Sequence, residues 1–158
     1  MNTSRSLARV GAVAAIAGAV LFFVSTLLHP NASAPSDFPA ALTEYAASPH
    51  WVAIHLGQFV GISAAGMALV ALAATLEPGR GAAWARFGLA GAIASIAVYT
   101  AVAAVDGVAN HVMAHRWTAA SGEARVRVYE AAFAVRQIAT GIFMWRLASR
   151  FAGDTEAA

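Results

Sequence analysis

An all-α fold, integral to the membrane and built as a four-helix antiparallel bundle, is what this sequence predicts, on three observations. The residues are 59% hydrophobic and only 11% charged, with a mean hydropathy of +0.64, against roughly 45–50% apolar and 25% charged in soluble domains. The apolar residues fall into runs of about 20 or more, enough at about 1.5 Å per residue to cross a hydrocarbon core of about 30 Å. Pro, Gly and polar clusters separate those runs. Helices are expected at about 7–28, 51–76, 84–113 and 126–147, with an outer loop over 29–50. No linker or charge run divides the chain, so a single membrane domain over 1–158 is expected.

The first run carries Arg5 and Arg9 at its start, and Ala32-Ser33-Ala34 after it has the pattern of a signal-peptidase site. Its apolar length exceeds the 7–15 residues of a signal-peptide core, so an uncleaved helix is expected. Gly11, Ala14, Ala15 and Gly18 give it a face for close helix contact. His29-Pro30 ends it, because proline removes a donor and biases the preceding residue out of the helical region. Within the proline-rich loop, 39–48 holds helix formers, and Asp37 is placed to cap a short surface helix.

The second membrane helix opens at His50-Trp51, with the indole at the interface, and carries a small-residue strip of Gly57, Gly61, Ala64, Ala65 and Ala68. Glu77-Pro78-Gly79-Arg80-Gly81 stops it. The third helix begins near Trp84, and 115–125, with Trp117, Ser121 and Gly122, is read as its connection to the fourth. Arg127, Glu130, Arg136 and Gln137 make the fourth helix the least apolar, with Trp145, Arg146 and Arg150 anchoring its far end.

All ten basic residues are Arg. Arg5, Arg9, Arg80, Arg86, Arg146 and Arg150 fall on one side of the predicted bundle and Arg116, Arg125 and Arg127 on the other. The richer side should be cytoplasmic, which puts both termini inside a bacterial cytoplasmic membrane and the long loop outside. The pI of 9.7 comes with no basic cluster interleaved with aromatics, so no nucleic-acid partner is expected. The absence of Cys excludes disulfides, thiolate metal sites and thiol redox chemistry. Gly79-Arg80-Gly81 lacks the Lys-Ser/Thr of a phosphate loop.

This topology collects His29, His50, His55, His111, His115 and Glu130 at the outer helix ends, with Asp106 and Arg136 deeper. An ion pair between Asp106 and Arg136 is expected, since a lone charge in hydrocarbon is costly. Around it a polar cluster of His55, Gln58, Asn110, Glu130 and Gln137 is expected. Tyr99, Asp106, Asn110 and Met113 share one stripe of the third helix, whereas His111 and His115 lie on another, displaced by about 140° from Asp106.

Two readings of these residues stay open. In the structural one, the ion pair sets helix register and the histidines are satisfied by loops, water and headgroups. In the chemical one, His111-x-x-x-His115 places two imidazoles on one helical face to bind a divalent metal, with His55 or Glu130 as a third ligand. Val112 stands where a zincin has glutamate, so hydrolysis by that mechanism is not indicated. Haem b would take His55 and His111 as axial ligands from facing helices. A proton or anion path through Asp106 and Arg136 would need an inward relay, for which only Ser63 and Thr140 offer side chains.

Leu28-His29-Pro30, the stretch Tyr45-Ala46-Ala47-Ser48-Pro49-His50-Trp51-Val52-Ala53-Ile54-His55-Leu56-Gly57-Gln58-Phe59, Val105-Asp106-Gly107-Val108-Ala109 and Ala134-Val135-Arg136-Gln137-Ile138 together resemble an uncharacterised family of small multi-pass bacterial membrane proteins common in actinobacteria. The resemblance implies a membrane fold and no particular activity. Members of that family continue past the Arg-Gln-Ile helix with further spans, so on this resemblance the chain is expected to be a copy shortened at its C-terminus. The leading expectation is a structural or interaction bundle without catalysis, in contact with lipid and with a membrane-protein partner or a second copy. A metal- or haem b-binding oxidoreductase subunit comes second, and a small carrier or proton-coupled transporter third.

Overall fold

A computed structural model describes residues 3–34, 36–76 and 81–153, with side chains described for 5–34, 36–76 and 81–137. The chain is all-helical, with no strand among the described residues: α1 (Thr3–Leu27), α2 (Phe38–Ala47), α3 (Trp51–Leu76), α4 (Ala82–Ala104), a π-helical turn (Val105–Asn110), α5 (His111–Ala119) and α6 (Gly122–Gly153). Among the described residues, three segments are long and apolar enough to cross a membrane: Arg5–Leu27, Trp51–Leu76 and Ala82–Ala119. The stop predicted at Glu77 to Arg80 and the anchoring by Trp145, Arg146 and Arg150 lie outside the described residues and side chains. By packing, the chain forms two compact units, Met1–His29 with His50–Gly107 and Pro30–Pro49 with Val108–Ala158.

In the first unit, α1 and α3 run antiparallel with their backbones in contact. A Cβ built on Gly18 would lie 2.6 Å from the Gly61 carbonyl oxygen, and one on Gly61 would lie 2.7 Å from the Phe22 nitrogen. Toward one end Gly11 meets Ala68 and Ala71; toward the other, Gly57 leaves room for the Ser25 hydroxyl. Both predicted small-residue strips therefore take part, and the contact is made by glycine because only a missing Cβ permits it. On the other side of α3, Gly66 receives the side chain of Ile96 from α4.

Most large apolar side chains of α1 and α3 point outward, Trp51 and Ile54 excepted. Val13, Ile16 and Leu27 on α1 and Met67 on α3 are 64–68% exposed, whereas Ser25, His55 and Gln58 are at most 8% exposed. This arrangement reverses that of a water-soluble bundle.

The second unit has a core of Phe38, Ala41 and Leu42 from α2, Ala114 and Trp117 from α5, and Ala132 from α6. Asp37 caps α2 as expected, its carboxylate accepting from Ala40 N at 3.0 Å. One face of the helix is part of the core, and Pro39, Thr43 and Ala47 on the other are exposed. Leu42 is fully buried and Phe38 nearly so, and Glu44 folds back to accept from the Ala32 and Ser33 amides at 2.8 Å each. The expected boundary of the third helix at 113 also falls short. Helix continues to Ala119, because Ala114 and Trp117 are core residues of this unit. The connection to α6 shrinks to a tight turn at Gly122, whose φ of 53° suits glycine.

Glycines packed backbone to backbone should be far less tolerant than those on open faces. Gly61→Ala is expected to lower stability by about 1–3 kcal/mol, the usual penalty of overpacking. Gly88→Ala and Gly91→Ala, where an added Cβ would meet nothing within 4 Å, should be neutral or slightly stabilising in a helix. Thermal unfolding of detergent-solubilised variants measures the difference.

Candidate functional site

The register set by the glycine contacts brings three sequence-distant segments of the first unit together: the residue just beyond α1, the first turns of α3, and the start of the π-helical turn. His29, His55 and Asp106 converge there, with one candidate ligand atom from each lying within 4.8 Å of the others. His55 is buried, and the other two are half-buried.

The fixed point of the site is Trp51, which is fully buried. Its indole Nε1–H donates to the Asp106 carbonyl oxygen at 3.0 Å, tying α3 to the π-helical turn. Its own carbonyl lies 2.9 Å from His55 Nδ1. A carbonyl oxygen only accepts, so Nδ1 must carry the proton. The other nitrogen, Nε2, then faces Asp106 Oδ2 at 3.1 Å. In a neutral ring this would set a lone pair against a carboxylate oxygen, so a second proton or a cation must lie between them.

The His29 ring closes the group. Its centroid is 4.9 Å from that of Trp51 and 5.1 Å from that of His55, edge-on to the latter. The approach of α4 depends on Gly107, where a Cβ would sit 2.6 Å from His55 Cβ. The turn carrying Asp106 and Gly107 is π-helical. An extra residue in the turn lets Asp106 present both its carboxylate and its carbonyl to α3, a widening often found at functional sites.

One turn further along α3, Gln58 joins all three helices of the unit. It donates to Thr26 Oγ1 at 3.2 Å and accepts from the Tyr99 hydroxyl at 3.4 Å, and Thr26 donates onward to the Phe22 carbonyl at 2.8 Å. His55 and Gln58 lie along one face of α3. Tyr99 and Asp106, expected on one stripe, both face it.

The remaining predicted residues belong to the second unit. His111 and His115 do converge, with their Nε2 atoms 3.2 Å apart. Asn110 is buried, Glu130 and Gln137 are exposed on α6, and the Arg136 guanidinium lies over the Phe38 ring at 5.0 Å. Asp106 meets His55 within the first unit, and Arg136, its expected partner, belongs to the second. The haem reading fits His55 poorly. A porphyrin iron would need the space in front of Nε2 that Asp106 Oδ2 occupies. Sequence reasoning left out His29 and Asp106 as ligand candidates beside His55. His29 was expected at the same helix ends as His55, and Asp106 was expected deeper, in a pair with Arg136.

The Trp51 link should be separable from its packing. Trp51→Phe keeps an aromatic ring and removes the Nε1–H, leaving the Asp106 carbonyl without that donor. A loss of about 1–3 kcal/mol is expected. It should be read by thermal unfolding, with Trp84→Phe, on an 80% exposed side chain, unchanged.

No family model matches the chain, and no curated protein or solved structure matches it, so its function rests on this geometry.

Proposed function

We propose that this chain is a multi-pass protein of the bacterial cytoplasmic membrane, a structural and interaction bundle rather than a catalyst, whose outer polar cluster holds the helices and faces a partner. The observation that carries the proposal is the reversed polarity of the first unit, with Ser25, His55 and Gln58 inside and Val13, Ile16, Leu27 and Met67 outside. Such a surface is stable only against lipid or another apolar surface. The glycine and alanine contacts supply the van der Waals packing that replaces hydrophobic association between helices in lipid.

In this reading α6 is a fourth crossing, since its 32 residues exceed the required length. Both termini then lie in the cytoplasm, on the side richer in Arg. The partner is lipid together with a second copy or another membrane protein. A transporting role has less support. In the first unit the polar chain from His55 through Gln58 gives way to the Gly18–Gly61 contact, where no polar side chain is interposed.

One measurement tests the proposal. Single Cys residues at 37, 44 and 121 should react with an impermeant thiol reagent in intact cells, and one at 80 should react only after lysis. Labelling at 80 in intact cells overturns the topology.

A further inference from the structure

We infer that His29, His55 and Asp106 form a binding site for a divalent transition-metal ion of the zinc or iron(II) class, held by two imidazoles and one carboxylate with its remaining positions open to water. The inference goes beyond the structural role proposed above, which needs no metal.

Four observations carry it. Metal–nitrogen and metal–oxygen bonds of about 2.0–2.2 Å place adjacent ligand atoms about 3–3.5 Å apart. His55 Nε2 and Asp106 Oδ2 are already 3.1 Å apart. The Nδ1–H of His55 is committed to the Trp51 carbonyl, the arrangement by which metal-binding histidines are held in one tautomer with the lone pair forward. An ion pair between His55 and Asp106 would account for those two side chains alone. His29 brings a second imidazole to the same point, within 4.8 Å of both. Finally, the segment that delivers Asp106 is a π-helical turn seated on Gly107, so the backbone departs from regular helix where the carboxylate is delivered.

The ligand set decides the class of ion. Two imidazole nitrogens disfavour Ca²⁺ and Mg²⁺, which take oxygen ligands, and suit Zn²⁺, Fe²⁺ or Co²⁺. Three protein ligands leave the ion coordinatively open. His29 stands beyond the last turn of α1, so small adjustments of its side chain can complete the set without moving a helix.

The test uses the full chain, purified in detergent and stripped by chelator, with Co²⁺ as the optical probe and Zn²⁺ in equilibrium dialysis. One equivalent should bind, with nitrogen-ligated Co²⁺ absorption bands. His29→Ala, His55→Ala and Asp106→Asn should each weaken binding by at least about 10–100-fold, the loss typical even of outer partners of a metal site. His111→Ala and His115→Ala should leave it unchanged. Asp106→Asn preserves size and hydrogen bonding, so it decides the matter if the histidine variants fail to fold. The inference is overturned if the native chain binds no better than Asp106→Asn, or if binding is lost in His111→Ala and kept in Asp106→Asn. Because the Cys labelling reads topology alone, failure of the membrane arrangement and failure of the metal site are separate results.

Discussion

Backbone contact between Gly18 and Gly61 is the constraint on which the first unit depends. In lipid, helices gain little by burying apolar side chains against one another, so what holds them is close approach and the few hydrogen bonds it brings within reach. Once Gly18 faces Gly61, an antiparallel pair has no freedom in register. Ser25 must fall at Gly57, and the residues just beyond α1 must fall beside the first turns of α3. His29 therefore reaches His55 because two glycines well away from it lack side chains. A larger residue at either glycine would push the helices apart and loosen a polar site it never touches.

A second glycine does the same work against α4. Gly107 lets the backbone of the π-helical turn settle on the His55 ring, and Trp51 secures that turn by its bond to the Asp106 carbonyl. The widened turn and the indole thus answer one need: a carboxylate among apolar helices must have a partner, and here the partner is delivered by backbone geometry as much as by side-chain reach.

Much of this was legible in the sequence, and the failures have physical causes. The apolar runs located the three long apolar segments, the second to its observed ends and the third short of its end, since 20-residue apolar segments have few alternatives. The small-residue strips of α1 and α3 and the Asp37 cap were legible because each depends on residues close in sequence. The pairing of His111 with His115 was legible for the same reason. The burial of α2 was not, because a ten-residue helix of Ala, Leu and aromatics reads alike whether it lies on a surface or beneath one. Nor was the π-helical turn, which leaves the apolar pattern nearly unchanged while rotating all that follows. The convergence of His29 with His55 and Asp106 joins three separate segments, and no local spacing encodes it.

The depth of the polar groups carries the last step. His29 and His55 sit at the ends of α1 and α3, and Asp106 sits on the π-helical turn beyond α4. One turn deeper the polar groups are neutral, the amide of Gln58 with the hydroxyls of Thr26 and Tyr99. Deeper still, toward Gly11, the α1–α3 contact is glycine and alanine. Charge gives way to neutral hydrogen bonding and then to bare packing in the order in which hydrocarbon raises the cost of each. A conducting path would need the opposite, polar groups sustained through the middle. Under the reading proposed above, a graded cluster confined to one end suits binding at that end rather than passage.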